Sequence, residues 1–147
     1  MKKVLIIFFV MTLFQACNKT ESDFDESKYH WHALTVTATA YNSLANQTDS
    51  NPNITAFGDS IYPGLSYIAV SRDLYRKGLK RDTPVKIEGF DSIYWVKDRM
   101  HPRWKNKIDI YMGEDVKAAR KWGRRKVEIE YGVLINDTIA NIKKTGK

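Results

Sequence analysis

The amino-acid sequence predicts a mainly β fold, a small closed barrel of about six short strands with one or two short helices. Three observations carry that expectation. Apolar and polar residues alternate with a period of two over residues 34–41, 107–112 and 126–133, as in strands that bury one face. Short runs of Val, Ile, Tyr and Trp at residues 66–70, 85–87 and 93–96 are bounded by Gly, Pro, Asp and Ser, which marks further strands separated by turns. Only residues 72–77 and 114–121 carry the start and stop signals of helices, and both segments are short.

The first seventeen residues read as an address and not as part of the fold. Lys2 and Lys3 precede an apolar run from Val4 to Phe14, too short to span a bilayer comfortably and suited to a secretory signal. The run closes on Leu13-Phe14-Gln15-Ala16-Cys17, the form of a bacterial lipobox. Cys17 is the only cysteine, so an intramolecular disulfide and a cysteine–metal cluster are excluded, and its position predicts lipid attachment. A plain secretory signal with an incidental cysteine is the other reading. The expected product is an exported lipoprotein of the bacterial cell envelope, held to a membrane through Cys17 and facing the periplasm from the outer membrane.

Residues 18–33 are assigned to a flexible tether, since Glu21, Asp23, Asp25 and Glu26 leave little to pack. His30 and His32 would share one face of an extended chain, but His101 is the only other histidine, so neither a metal nor another cofactor is expected. Trp31 is instead expected to anchor the chain where it joins the domain.

The barrel is assigned to residues 34–133. Leu34, Val36, Ala38 and Ala40 alternate with Thr35, Thr37, Thr39 and Tyr41, a half-buried strand with a hydroxyl-rich outer face. Residues 42–62 form a long polar loop, and such loops in compact domains are functional or disordered. Ser71 is placed to cap the helix at 72–77 and Gly78 to end it. Asp98 shares its alternation face with Tyr94 and Val96, so its carboxylate is expected partly covered, emerging at a strand end where sites are usually found. Ile108, Ile110 and Met112 turn one way and Lys107, Asp109 and Tyr111 the other, which leaves Asp109 facing solvent or a cleft. The helix at 114–121 has acids in its first turn, bases in its last and Gly123 after it. Val127, Ile129, Tyr131 and Val133 then point inward, and residues 134–147 form a polar tail.

Charge and chemistry narrow the partners. The chain has 24 basic and 17 acidic residues, a net +7, and loss of Lys2 and Lys3 with the signal leaves 22 against 17. Such a balance favours polyanions. An exported lipoprotein does not ordinarily meet nucleic acid, so the carboxylate-bearing bacterial wall is the anion at hand, while a solvated basic surface explains the same numbers. There is no glycine-rich phosphate loop and no nucleophile motif, which leaves the acids to do chemistry.

The spacing of Asp98 and Asp109, the run Ile108-Asp109-Ile110-Tyr111-Met112 and the closing Trp122-Gly123-Arg124-Arg125-Lys126-Val127 resemble the three-aspartate (3D) domain, shared with the catalytic part of membrane-bound lytic transglycosylase A. So, in the same order, do Val36-Thr37-Ala38-Thr39-Ala40-Tyr41, Gln47-Thr48-Asp49, Thr55-Ala56-Phe57-Gly58 and Ile68-Ala69-Val70-Ser71-Arg72-Asp73. The resemblance implies a six-stranded double-psi β-barrel that needs no cofactor. It places Asp109 in the acid/base role, with Asp98 orienting the sugar or stabilising positive charge. Ser71 stands at the position of the family's first aspartate and Asp73 two residues later, so Asp73 is the third catalytic candidate, or else simply an acid complementing a helix N-terminus. Tyr41, Thr48, Asp49 and Thr55 become candidates for sugar contacts, against the plainer roles of a half-core tyrosine and a turn cap.

The implied activity is that of a lytic transglycosylase. It would cleave the MurNAc-β-1,4-GlcNAc bond of peptidoglycan glycan strands and close a 1,6-anhydro ring on the muramyl residue. The alternative is a non-catalytic, expansin-like module that binds peptidoglycan or another wall polysaccharide. The larger transglycosylase encloses its substrate between two domains, so a protein partner completing the groove is a further expectation.

Overall fold

The computed structural model describes residues 24–43 and 54–136. Cys17 and the rest of the signal segment, the first part of the tether, Thr48, Asp49 and residues 137–147 lie outside the described residues. Six strands are present, β1 (Tyr29–Tyr41), β2 (Tyr67–Val70), β3 (Pro84–Ile87), β4 (Tyr94–Arg99), β5 (Lys107–Tyr111) and β6 (Arg125–Leu134). Helix α1 (Arg72–Lys77) follows β2, and helix α2 (Val116–Trp122) joins β5 to β6. The strands close into a barrel in the order β1-β5-β2-β4-β3-β6. The fold class expected from the alternation is therefore the observed one. Two pairs, β1 with β5 and β2 with β4, are parallel, and the other four are antiparallel.

Every strand sends alternate residues to a common interior. Val36 and Ala38, Ile68 and Val70, Val85 and Ile87, Val96, Ile108 and Ile110, and Val127 and Ile129 are all buried, together with Leu74 of α1 and Leu79. Each such aliphatic side chain contributes about 1.5–3 kcal/mol by leaving water. The opposite side of each strand is thereby free to carry polar groups, and it is there that the acids of β5 and β4 lie.

Two boundaries differ from the sequence reading. Residues 29–33, assigned to the tether, are strand: β1 pairs with β6 from Tyr29↔Leu134 through Ala38↔Arg125, and Leu134, assigned to the tail, is the last residue of β6. Aromatic packing supplies what the polar composition concealed. Phe24 stacks on Tyr29 at 5.3 Å and meets Trp95 edge-on at 5.5 Å, while the Lys86 ammonium lies 4.4 Å from the Trp31 ring. Gly132 permits this closeness, because a Cβ there would stand 3.0 Å from Tyr29 Cβ and from Pro84 Cγ.

The helices hold the strands in place. Ser71 begins α1, but its hydroxyl accepts from the Lys107 N–H of β5 at 3.1 Å and makes no cap bond to the helix. Gly78, at φ +130°, ends α1 with its N–H on the Leu74 carbonyl. Helix α2 starts two residues later than its sequence signals place it, because Asp115 is its N-cap and accepts from Ala118 N–H at 2.8 Å. Its last residue, Trp122, packs on Phe90 at 5.0 Å and carries the Arg125 guanidinium 4.2 Å above its ring.

Candidate functional site

The site is made by a defect in the sheet. Strand β2 pairs with β4 as Ile68↔Val96 and then Ala69↔Asp98, so one extra residue, Lys97, is accommodated between them. Consecutive residues of a strand point to opposite faces. Ile68 is fully buried inside the barrel with Val96, hence Ala69 and Asp98 share the outer face. This corrects the alternation, which put Asp98 on the face of Tyr94 and Val96; a bulge reverses the side on which the next residue emerges.

The same Ala69 is the register partner of Asp109 across β5, and Asp109 is that of Thr39 across β1. Four adjacent strands thus present one outer row, Thr39–Asp109–Ala69–Asp98. With strands about 4.8 Å apart, the two aspartate backbones stand roughly 10 Å from each other, and only a methyl group lies between. The row thus sets two carboxyls in register across Ala69, which is 5% exposed.

Asp109 is half-buried, and its carboxyl is pushed above the ordinary carboxylate value. Burial is the main cause. The Thr39 hydroxyl, donating to Oδ1 at 2.6 Å, and the charge of Lys107 act against it, and the charge of Asp98 acts with it. Lys107 is buried with its ammonium 3.8 Å from the Trp104 ring. Its pull is outweighed. Because Oδ1 is held by Thr39, Oδ2 is the oxygen left to carry a proton.

Tyr41, one turn of the β1 pleat beyond Thr39, completes the site from the other side. Its ring lies 5.4 Å from that of Tyr111, and its buried hydroxyl has no hydrogen-bond partner among the described residues. Burial first, then the charges of Asp98 and Asp109, raise its titration beyond the ordinary tyrosine range. The phenol is therefore a proton donor close enough to feel both carboxylates. Tyr111 is satisfied by the Ser43 hydroxyl at 2.8 Å. Past the row, Tyr67 and its register partner Trp95 line a cleft of about 550 Å³ that also takes in Leu65, Asp82 and Lys97.

Asp98 also fastens a turn. Its Oδ1 accepts from Ala56 N–H at 2.8 Å and from Arg99 N–H at 2.7 Å, which fastens the 54–60 turn to the edge of β4. Thr55 shapes that turn, its hydroxyl accepting from Phe57 N–H and Asp59 N–H at 3.2 and 3.1 Å. Thr55 is 6% exposed, so the structure gives it a turn to hold where the sequence offered a sugar contact. Asp73 lies on α1 and is not one of the strand residues of the row. Despite partial desolvation, its carboxyl is held below the ordinary value by hydrogen bonds, among them one from Asn106 N–H at 2.8 Å. It clips the loop before β5 to α1, a positioning task. Of the sequence candidates, Asp109, Asp98 and Tyr41 come together. Ala69 and Ala56 were missed, and an alanine in a buried apolar run gives no signal that could have found them.

No protein-family model matches the chain, and no curated protein matches it. Among solved structures it is similar to the apo form of an expansin from Clavibacter michiganensis, at 17% identity and a TM-score of 0.42, over 71% of this chain and 52% of that one. A variant of the same expansin in complex with cellohexaose gives 18% identity and a TM-score of 0.41, over 69% and 50% of the two chains. The chain spans about half the length of these structures.

Proposed function

We propose that the protein binds glycan strands of the bacterial cell wall along the Thr39–Asp109–Ala69–Asp98 row, and that Asp109 is the proton carrier for their lytic cleavage. The observation that carries this is Asp109 itself, a carboxyl on an outer face, held toward its neutral form by burial, with Oδ1 bonded to Thr39 and a second carboxyl in register across Ala69. A group that holds its proton above the ordinary carboxylate range is suited to donate it. The unpartnered Tyr41 hydroxyl offers a hydrogen bond that a sugar oxygen over Ala69 would accept.

In the cleavage, Asp109 Oδ2 gives its proton to the glycosidic oxygen as the bond from that oxygen to the muramyl anomeric carbon breaks. The muramyl 6-hydroxyl then attacks the anomeric carbon and returns its proton to the carboxylate. The products are a 1,6-anhydro ring and a free 4-hydroxyl, and no water is consumed. Asp98 faces the positive charge that develops at the anomeric carbon.

A second reading, binding without cleavage, is favoured by one observation. Asp98 Oδ1 is engaged by two main-chain N–H groups, a structural use that does not require chemistry at the row. A protein partner forming a second wall over this face fits either reading. Incubation of purified protein with sacculi, followed by mass spectrometry of the soluble fragments, separates them. The cleavage reading expects anhydromuramyl ends from wild type and a loss of about a hundred- to ten-thousand-fold in Asp109→Asn. Sedimentation with sacculi and no anhydro product leaves binding alone, and absence of both refutes the proposal.

A further inference from the structure

Beside the row lies a group of cations that the chemistry above does not use. Phe57 and Tyr75 pack at 5.9 Å, and three cations surround them: Arg99 at 5.7 Å from Phe57 and 5.9 Å from Tyr75, Lys80 at 4.3 Å from Tyr75, and Arg81 at 6.0 Å from Phe57. Arg81 is neutralised by Asp59 at 2.7 Å. Lys80 and Arg99 are exposed and pair with no acid among the described residues. Ring faces attract each cation separately, but they do nothing to relieve the repulsion between two like charges on one aromatic pair. An anion bound between them does.

The cluster is fixed to the row by the same carboxylate oxygen that fastens the turn. Asp98 Oδ1 accepts the N–H of Ala56, the residue before Phe57, and the N–H of Arg99. Arg99 follows Asp98 on β4 and takes the opposite side of the strand, with Val70 as its register partner, so an anion held by Arg99 and Lys80 belongs to a side arm that rounds the end of β4 and not to the sugar over Ala69 itself. A neutral glucan or chitin chain carries nothing to place there. A muramyl residue does, since its lactyl arm leaves the ring and continues into a peptide with carboxylates.

On the reading that the row binds wall glycan, we propose that Arg99 and Lys80, on the Phe57–Tyr75 pair, form a subsite for a carboxylate borne by the glycan's acidic side arm. The protein then selects acid-substituted glycan over neutral polysaccharide. Arg99 supplies the forked donor that fits a carboxylate, and Lys80 supplies a second charge.

The test compares sedimentation with intact sacculi, with sacculi whose carboxyls have been converted to methylamides, and with chitin. Wild type should bind intact sacculi about tenfold more tightly than blocked sacculi, with the difference shrinking as salt is raised. The double variant Lys80→Gln/Arg99→Gln, checked for an unchanged melting temperature, should bind intact and blocked sacculi alike. Arg99→Lys alone, which keeps the charge and loses the fork, should fall between. Equal binding of wild type to intact and blocked sacculi, or full binding by the double variant, overturns the subsite while leaving glycan binding in place. Failure of wild type to bind sacculi or chitin refutes the parent reading. Vesicles of phosphatidylglycerol serve as the competing surface: if the double variant loses only vesicle binding, the cluster is a phosphate-binding membrane contact and the proposal fails.

Discussion

Asp109→Asn should raise stability at neutral pH and leave it unchanged in acid. Asparagine keeps the shape of the side chain, and its Oδ1 still accepts from Thr39, so packing is conserved. What disappears is a desolvated charge that is repelled by Asp98, and what is forfeited is the weaker pull of Lys107. Burial of a polar group without full compensation costs about 1–3 kcal/mol in mutational series. With Thr39 and Lys107 each recovering part, the net gain should be about 1 kcal/mol, or roughly 4–8 °C in melting temperature for a domain of this size. The sign with pH follows from linkage. Because the folded state holds the Asp109 proton more tightly than the unfolded state, the wild type keeps its full stability below the ordinary carboxylate value of 3.8 and loses it as pH rises through the folded titration. The variant does not titrate there. Urea melts of both proteins across that range should show curves that coincide in acid and diverge upward. A variant that is less stable at neutral pH, or a difference independent of pH, would refute the burial argument and with it the assignment of Asp109 as proton carrier.

Three further outcomes test other parts of the argument. Ala69→Leu puts a larger side chain between the carboxyls and should abolish glycan sedimentation, at a cost of about 1–3 kcal/mol from overpacking at a residue 5% exposed; retained binding would move the site elsewhere. Gly132→Ala puts a Cβ 3.0 Å from Tyr29 and Pro84 and should cost about 1–3 kcal/mol in urea melts, whereas an unchanged midpoint would mean that the start of β1 yields readily. Labelled fatty acid should appear on the wild type and not on Cys17→Ser, and its absence from both would remove the lipid anchor.

Period-two alternation was enough to identify the barrel, because it records which side of each strand meets the core and that division survives in β1, β5 and β6. It placed Asp109 on the side of β5 away from the core as well, an acid between Ile108 and Ile110 on a strand without irregularity. It failed at Asp98 for a physical reason. Alternation carries a side assignment forward one residue at a time, and the extra Lys97 inverts everything after it without changing the composition of the run. It failed at residues 29–33 because they are held by pairing with β6 and by aromatic packing, Phe24 on Tyr29 and His32 on Tyr131, and not by a core stripe of their own. Thr55 and Asp73 show the converse: residues of a suitable type, whose side chains the fold has already engaged with nearby main-chain N–H groups.

Asp98 decides between cleavage and binding, because its two uses can be separated. As a fastener, it needs only an oxygen that accepts from Ala56 and Arg99. As a catalytic group, it needs its charge, facing the anomeric carbon across Ala69. Asp98→Asn keeps the acceptor and removes the charge, while Asp98→Ala removes both and leaves two N–H groups to exposed solvent, at a cost of about 1 kcal/mol. If the row cleaves glycan, Asp98→Asn should lose anhydromuramyl release while sedimenting with sacculi as before, and Asp98→Ala should lose release and also bind less well as the 54–60 turn loosens beside Arg99. If the row only binds, Asp98→Asn should match wild type in every assay, and only Asp98→Ala should differ. Sedimentation and fragment release measured on the same two variants therefore distinguish charge from shape, which an alanine substitution alone would confound.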